Sequence, residues 1–162
     1  MPKMTISTGL TETGTTQYEK LGSQFERENP VADRGPQIWV YIKNSSGTAY
    51  AIGEAVAHKD SLANYETVLL PVSGSTAGHP SRCVGFVQHA IADGAYGWVL
   101  RDGYGTVLAD TGGIAANTAL TTGNAVAGRI DSGAAVTTEA LGWAHVAIAA
   151  TATGIARVFA RG

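Results

Sequence analysis

Gln37-Ile38-Trp39-Val40-Tyr41-Ile42-Lys43 is the stretch on which the reading of the whole chain turns. All five residues between Gln37 and Lys43 are β-branched or aromatic, the composition that suits a pleated strand and crowds a helix. Alternation places Ile38, Val40 and Ile42 on one face and Trp39 and Tyr41 on the other. Both faces are apolar, so the strand is expected to be covered on both sides, by its own domain and by something else. Pro36 opens it, and Asn44-Ser45-Ser46-Gly47 closes it as a turn.

Downstream the same texture repeats in short runs rich in Val, Ile, Tyr and Thr. Strands are expected near 50–57, 65–71, 82–91, 96–101, 105–109, 125–131, 142–149 and 154–160. Glycine-bearing turns separate them: Gly53, the stretch 73–78, Asp93-Gly94, Asp102-Gly103, Thr111-Gly112-Gly113, Thr122-Gly123-Asn124, Asp131-Ser132-Gly133 and Thr153-Gly154. Asp-Gly and Gly-Asn pairs supply the positive φ that hairpin turns need. Alanine argues for helix at Leu141 to Ala150, but Trp143, His145, Ala147 and Ala149 alternate with Ala144, Val146, Ile148 and Ala150, which favours a strand. A single helical turn competes with strand over Gly112 to Leu120. The expectation is an all-β fold, an antiparallel β-sandwich or β-barrel of about eight to nine short strands.

Upstream of Pro36 the chain is polar and interrupted by glycine. MPKMTISTGL is not followed by the apolar stretch of a secretory signal. Residues 1–36 are therefore read as an extended N-terminal arm and 37–162 as a β-rich body domain. Tyr18, Leu21 and Phe25, spaced i, i+3, i+7, would share one face of a short helix, with Gly22 weakening that helix. Two readings stand: a poorly ordered terminus, or an arm that orders against a partner with these three residues as its expected anchors. Fully extended, such an arm would reach on the order of 100 Å.

Composition narrows the function. Of 162 residues, 44% are hydrophobic and 15% charged, with 21 glycines. Counting the sequence adds 26 alanines and 18 threonines. Eleven basic residues against thirteen acidic ones offer no electrostatic case for nucleic acid or a membrane surface. One cysteine excludes an internal disulfide and a multi-cysteine metal site.

Candidate chemistry is sparse. His58 and Asp60 sit two residues apart, His79 lies in a glycine-serine loop, and His89 and His145 fall within expected strands. None forms a metal-ligating pair on a helix. Cys83 follows Arg82 but reads as a small buried strand residue. Asp102-Gly103-Tyr104-Gly105-Thr106 lacks the frame of a phosphate loop. No catalytic, cofactor or metal site is assigned. A β-barrel enzyme around His89 or His145 is the weakest competing reading. A carbohydrate-binding module or receptor-binding fibre domain, using exposed Trp or Tyr as platforms, is the main alternative.

One stretch carries a family likeness. Cys83-Val84-Gly85-Phe86-Val87-Gln88-His89-Ala90-Ile91-Ala92-Asp93-Gly94-Ala95-Tyr96-Gly97-Trp98-Val99-Leu100 is followed by Gly103, Thr118-Ala119-Leu120 and Gly128. Over about residues 83–128 this resembles the small capsid cement, or head decoration, proteins of tailed bacteriophages. Ala116-Asn117-Thr118 stands where that family usually has Gly-Asp. The resemblance implies a β-rich homotrimer on the outer capsid surface of a virion, with the major capsid protein and further copies of itself as partners. It implies no catalytic residues. Small-residue surfaces agree, since alanine, glycine and threonine lose little side-chain entropy when covered. Trp39 and Tyr41 join Tyr18, Leu21 and Phe25 as the expected partner-interface residues.

Overall fold

The computed structural model describes residues 9–60, 64–73, 80–133 and 140–160. Expectations that fall on 1–8, the turn residues 74–78 and His79 lie outside the described residues. Ten strands follow in chain order: β1 (Gln24–Glu28), β2 (Pro36–Asn44), β3 (Ala55–His58), β4 (Glu66–Leu69), β5 (Cys83–Val87), β6 (Tyr96–Leu108), β7 (Thr118–Thr122), β8 (Ile130–Gly133), β9 (Gly142–Ala144) and β10 (Thr153–Phe159). The expected all-β class is what forms, with a 3-10 turn at Pro80–Arg82 as the helical element among the described residues.

The strand order is β1-β2-β4-β3-β5-β6-β10-β9-β7-β8, and β2 also pairs with β6. That extra pairing closes β2, β4, β3, β5 and β6 into a five-membered ring. Closure removes sheet edges that would otherwise be open to foreign strands. All the ladders between strands are antiparallel except β2 with β4, which runs parallel through Lys43↔Glu66 and Asn44↔Thr67. The β10, β9, β7 and β8 strands continue the sheet beyond β6 as a wing.

The decisive strand behaves as its alternation requires. Val40 and Ile42 pack with Val56, Val84, Val87 and Val99 inside the ring. Trp39 and Tyr41 join the larger cluster with Phe86, Trp98 and Leu100. Both faces are covered within the chain itself. Asn44 then sets the expected turn: its amide donates to the carbonyls of Thr48, Ile91 and Ala92, and its Oδ1 accepts from Ser46.

Residues 9–36 run along the ring. Leu10 is buried in the larger cluster. Gly14 bridges to Tyr96. Gly22 donates its N–H to the Tyr41 carbonyl at 2.9 Å. The helix expected through Tyr18, Leu21 and Phe25 is not there: Gln24–Glu28 is a strand paired with β2 from Pro36 to Val40. Gly22 at φ +83° breaks the helical path just before it. Alternation then wins, with Phe25 and Arg27 half-buried and Gln24, Glu26 and Glu28 exposed.

Five expected assignments change. Asp102-Gly103 is not a hairpin turn but the bend of one 13-residue strand, β6. Gly103 has φ +122°, and a Cβ there would meet the Pro36 carbonyl at 2.9 Å, so this glycine serves close strand approach rather than reversal. The expected strand 125–131 is mostly loop, and the Asp131-Ser132-Gly133 turn is instead strand β8, paired with Ala119 to Thr121 of β7. Thr118–Thr122, where a helical turn competed, is strand β7. The expected strand 142–149 is split: Gly142–Ala144 pairs with β10 and β7, residues 145–147 loop out, and Ile148 bridges to Ile114. Thr153-Gly154 opens β10, and the turn falls earlier, at Thr151 with φ +56°.

Candidate partner interface

The expected interface residues separate into two groups. Trp39 and Tyr41 are 3% and 2% exposed, enclosed by this chain's own segments. Phe25 packs edge-on against Trp98 at 6.4 Å between centroids, and Tyr41 lies 5.2 Å from Trp98 and 6.2 Å from Tyr96. Leu21 is half-buried against the same cluster. Tyr18 is the outward member of the set, 56% exposed, and its N–H donates to the Tyr41 hydroxyl. Burial pushes the Tyr41 phenol above its ordinary value. The Trp39 indole N–H is buried without a partner among the described residues, with the Arg27 guanidinium 5.2 Å from the ring centroid.

A second surface was not legible in the sequence. The outward side chains of β6, β10 and β9 form a partly exposed face. Register places Tyr104 opposite Arg157, and Arg157 opposite Trp143. Tyr104, Trp143, Arg157 and Phe159 are half-buried, His145 is exposed, and Ile155 is 44% exposed. Tyr104 is the centre. Its ring stacks on His145 at 6.0 Å, and its hydroxyl lies 3.1 Å from His145 Nε2. The guanidinium carbons of Arg34 and Arg157 lie 5.9 and 6.0 Å from its centroid. Arg157 donates to Asp102 at 2.6 Å. Gln37 anchors the underlying backbone by donating to the Tyr104 carbonyl at 2.7 Å.

The histidines and the cysteine are placed as follows. His58 is buried against the edge of Tyr65, and burial, then the charges of Arg82 and Arg101, hold its pKa below the ordinary value. Burial likewise lowers His89, whose two ring nitrogens have no partner among the described residues. Cys83 is fully buried, and its thiol is pushed up to about 12, which keeps it protonated and unreactive. Among the described residues no group of three His, Cys, Asp or Glu could hold a metal ion. No helix among them is long and apolar enough to cross a membrane.

The fold and this surface define an all-β protein with a closed ring, a wing and one partly exposed aromatic face. No family model matches the chain, and no curated protein does. Among solved structures it is similar to the head fiber gp8.5 N base in bacteriophage phi29, at 13% identity and a TM-score of 0.49, covering 76% of this chain and 96% of that one.

Proposed function

We propose that the chain is a structural protein of a phage virion that binds the outer capsid surface and cements neighbouring capsid subunits. The observation that carries this reading is the partly exposed β6–β10–β9 face. It combines aromatic, apolar and arginine side chains, the composition of an interface core rather than of a solvated sheet. The likeness of residues 83–128 to capsid cement proteins supplies the partner class, the major capsid protein, and a homotrimeric assembly. Tyr18 and Val31, 56% and 47% exposed, add apolar contacts from the N-terminal segment. A cement acts through copy number: a modest interface repeated over a shell raises apparent affinity without a large single contact.

Leu10, Leu21 and Phe25 pack on the core, so deleting residues 1–36 would disturb folding and binding together. Electron microscopy of particles carrying the full chain is the direct test. Density on the outer surface bridging adjacent subunits is expected, and its occupancy should fall in Tyr18→Ser. Density confined to the interior or the tail would sink the reading.

A further inference from the structure

Arg34 makes no hydrogen bond or ion pair among the described residues; its recorded contact is the Tyr104 ring, 5.9 Å away. All five of its N–H donors are thus unspent. Arg157, on the neighbouring strand, makes one recorded hydrogen bond, to Asp102. Both guanidinium carbons lie within 6.0 Å of one ring centroid, so two planar donor forks flank the same aromatic side chain on this face. A cation held against an aromatic face is positioned without its donors being consumed. Such forks match carboxylates, which accept two parallel N–H bonds each.

The rest of the face decides between kinds of carboxylate-bearing ligand. A sugar platform needs a free aromatic face, but the Tyr104 ring already stacks on His145 and meets two guanidiniums. Beside it stand Ile155, exposed, and Phe159 and Trp143, half-buried, which suit apolar side chains of a polypeptide. Nearby acids are Asp102, already on Arg157, and Asp33, next to Arg34 in the chain.

We infer that the Tyr104 face receives a carboxylate-rich polypeptide segment, its acids held by Arg34 and Arg157 and its apolar residues set against Ile155. This rests on the capsid-binding reading only in naming the capsid subunit as the natural donor of that segment.

The test uses the full chain and two polyanions of matched charge, poly-L-glutamate and polysialic acid, followed by fluorescence anisotropy. Poly-L-glutamate is expected to bind, to weaken as salt rises, and to lose roughly fivefold or more in affinity in Arg34→Gln and again in Arg157→Gln. Arg34→Gln should keep the wild-type melting temperature, which separates lost binding from lost folding. Lys59→Gln, a change at an exposed lysine with no recorded contact to this face, should bind as the wild type does. Binding unchanged in both arginine variants, or no binding of poly-L-glutamate, overturns the inference. Tighter binding of polysialic acid that depends on the same arginines overturns the polypeptide assignment in favour of an acidic glycan. Each of these results is independent of where microscopy places the protein on a particle.

Discussion

The ring and the wing are ordered by different chemistry. Inside the ring, Val40, Ile42, Val56, Val84, Val87 and Val99, from four of the five ring strands, are fully buried with Ile91, and Leu69 of β4 packs against them. The Tyr50 hydroxyl there meets Thr67 Oγ1 at 3.1 Å, and burial pushes the phenol up to about 12. The wing strands β7, β8 and β9 are five, four and three residues long. Their connections converge on a buried carboxylate, Asp110. It accepts from the N–H groups of Thr111, Ala125 and Val126, while its carbonyl accepts from Gly113 and Thr151. Gly123 is required beside it, since a Cβ there would lie 2.7 Å from Asp110 Oδ2. The ring gains from apolar area, which tolerates local adjustment; the wing depends on directed bonds to one side chain, which does not.

The largest effect should come from the ring wall. Trp98 is fully buried and touches both Tyr41 and Phe25. Trp98→Ala should cost about 3–5 kcal/mol, read by urea denaturation as a single cooperative loss. If the wing melted separately while the ring survived that substitution, the ring would not be the stability-determining unit.

A smaller and more local effect is expected in the wing. Asp110→Asn places an amide where N–H donors converge, at a cost of about 2 kcal/mol. The pH dependence gives the sharper signature. Burial raises the Asp110 pKa, but the donors from Ala125, Thr111 and Val126 and the charge of Arg129 outweigh it, so the carboxyl sits below its ordinary value. A depressed folded pKa means the stabilisation is complete above the ordinary aspartate range and is lost as pH falls through the folded value. The gap between wild type and Asp110→Asn should therefore be widest near neutral pH and close on acidification. A gap that stayed constant with pH would remove Asp110 as the wing's organiser.

How much of this was legible in the sequence follows from the range of the interactions. The β2 alternation was readable because five consecutive residues carry it. The hairpin reading of Asp102-Gly103 failed because a glycine needed for close approach to Pro36 and Gln37 looks, in isolation, like one needed for a turn. Strand β7 was obscured because Thr118-Ala119-Leu120-Thr121-Thr122 has little periodicity of its own and takes its conformation from β8 and β9. The Tyr104 face was invisible for a different reason. Its members come from positions 34, 104, 145 and 157, and only the register of β6 with β10 brings the latter strands together. The one local clue was Gln24-Phe25-Glu26-Arg27-Glu28, whose period of two competes with the helical spacing of Tyr18, Leu21 and Phe25.

That competition yields the smallest predicted effect. Strand β1 lies at the end of the sheet order and covers Trp39, whose indole N–H it leaves unpartnered. A buried donor without an acceptor costs about 1–3 kcal/mol, so β1 is held chiefly by Phe25 and the ladder to β2. Phe25→Ala, at a half-buried site, should lower global stability by only about 1–2 kcal/mol. Its main consequence should be local: backbone amides bonded between β1 and β2, such as the Tyr41 N–H donating to Ser23, should exchange with solvent faster than those linking β5 to β6. Exchange that accelerated equally across both ladders would mean that the edge strand and the ring open as one unit. The contrast between a closed ring and what is laid on it would then stop at the wing and not include the N-terminal segment.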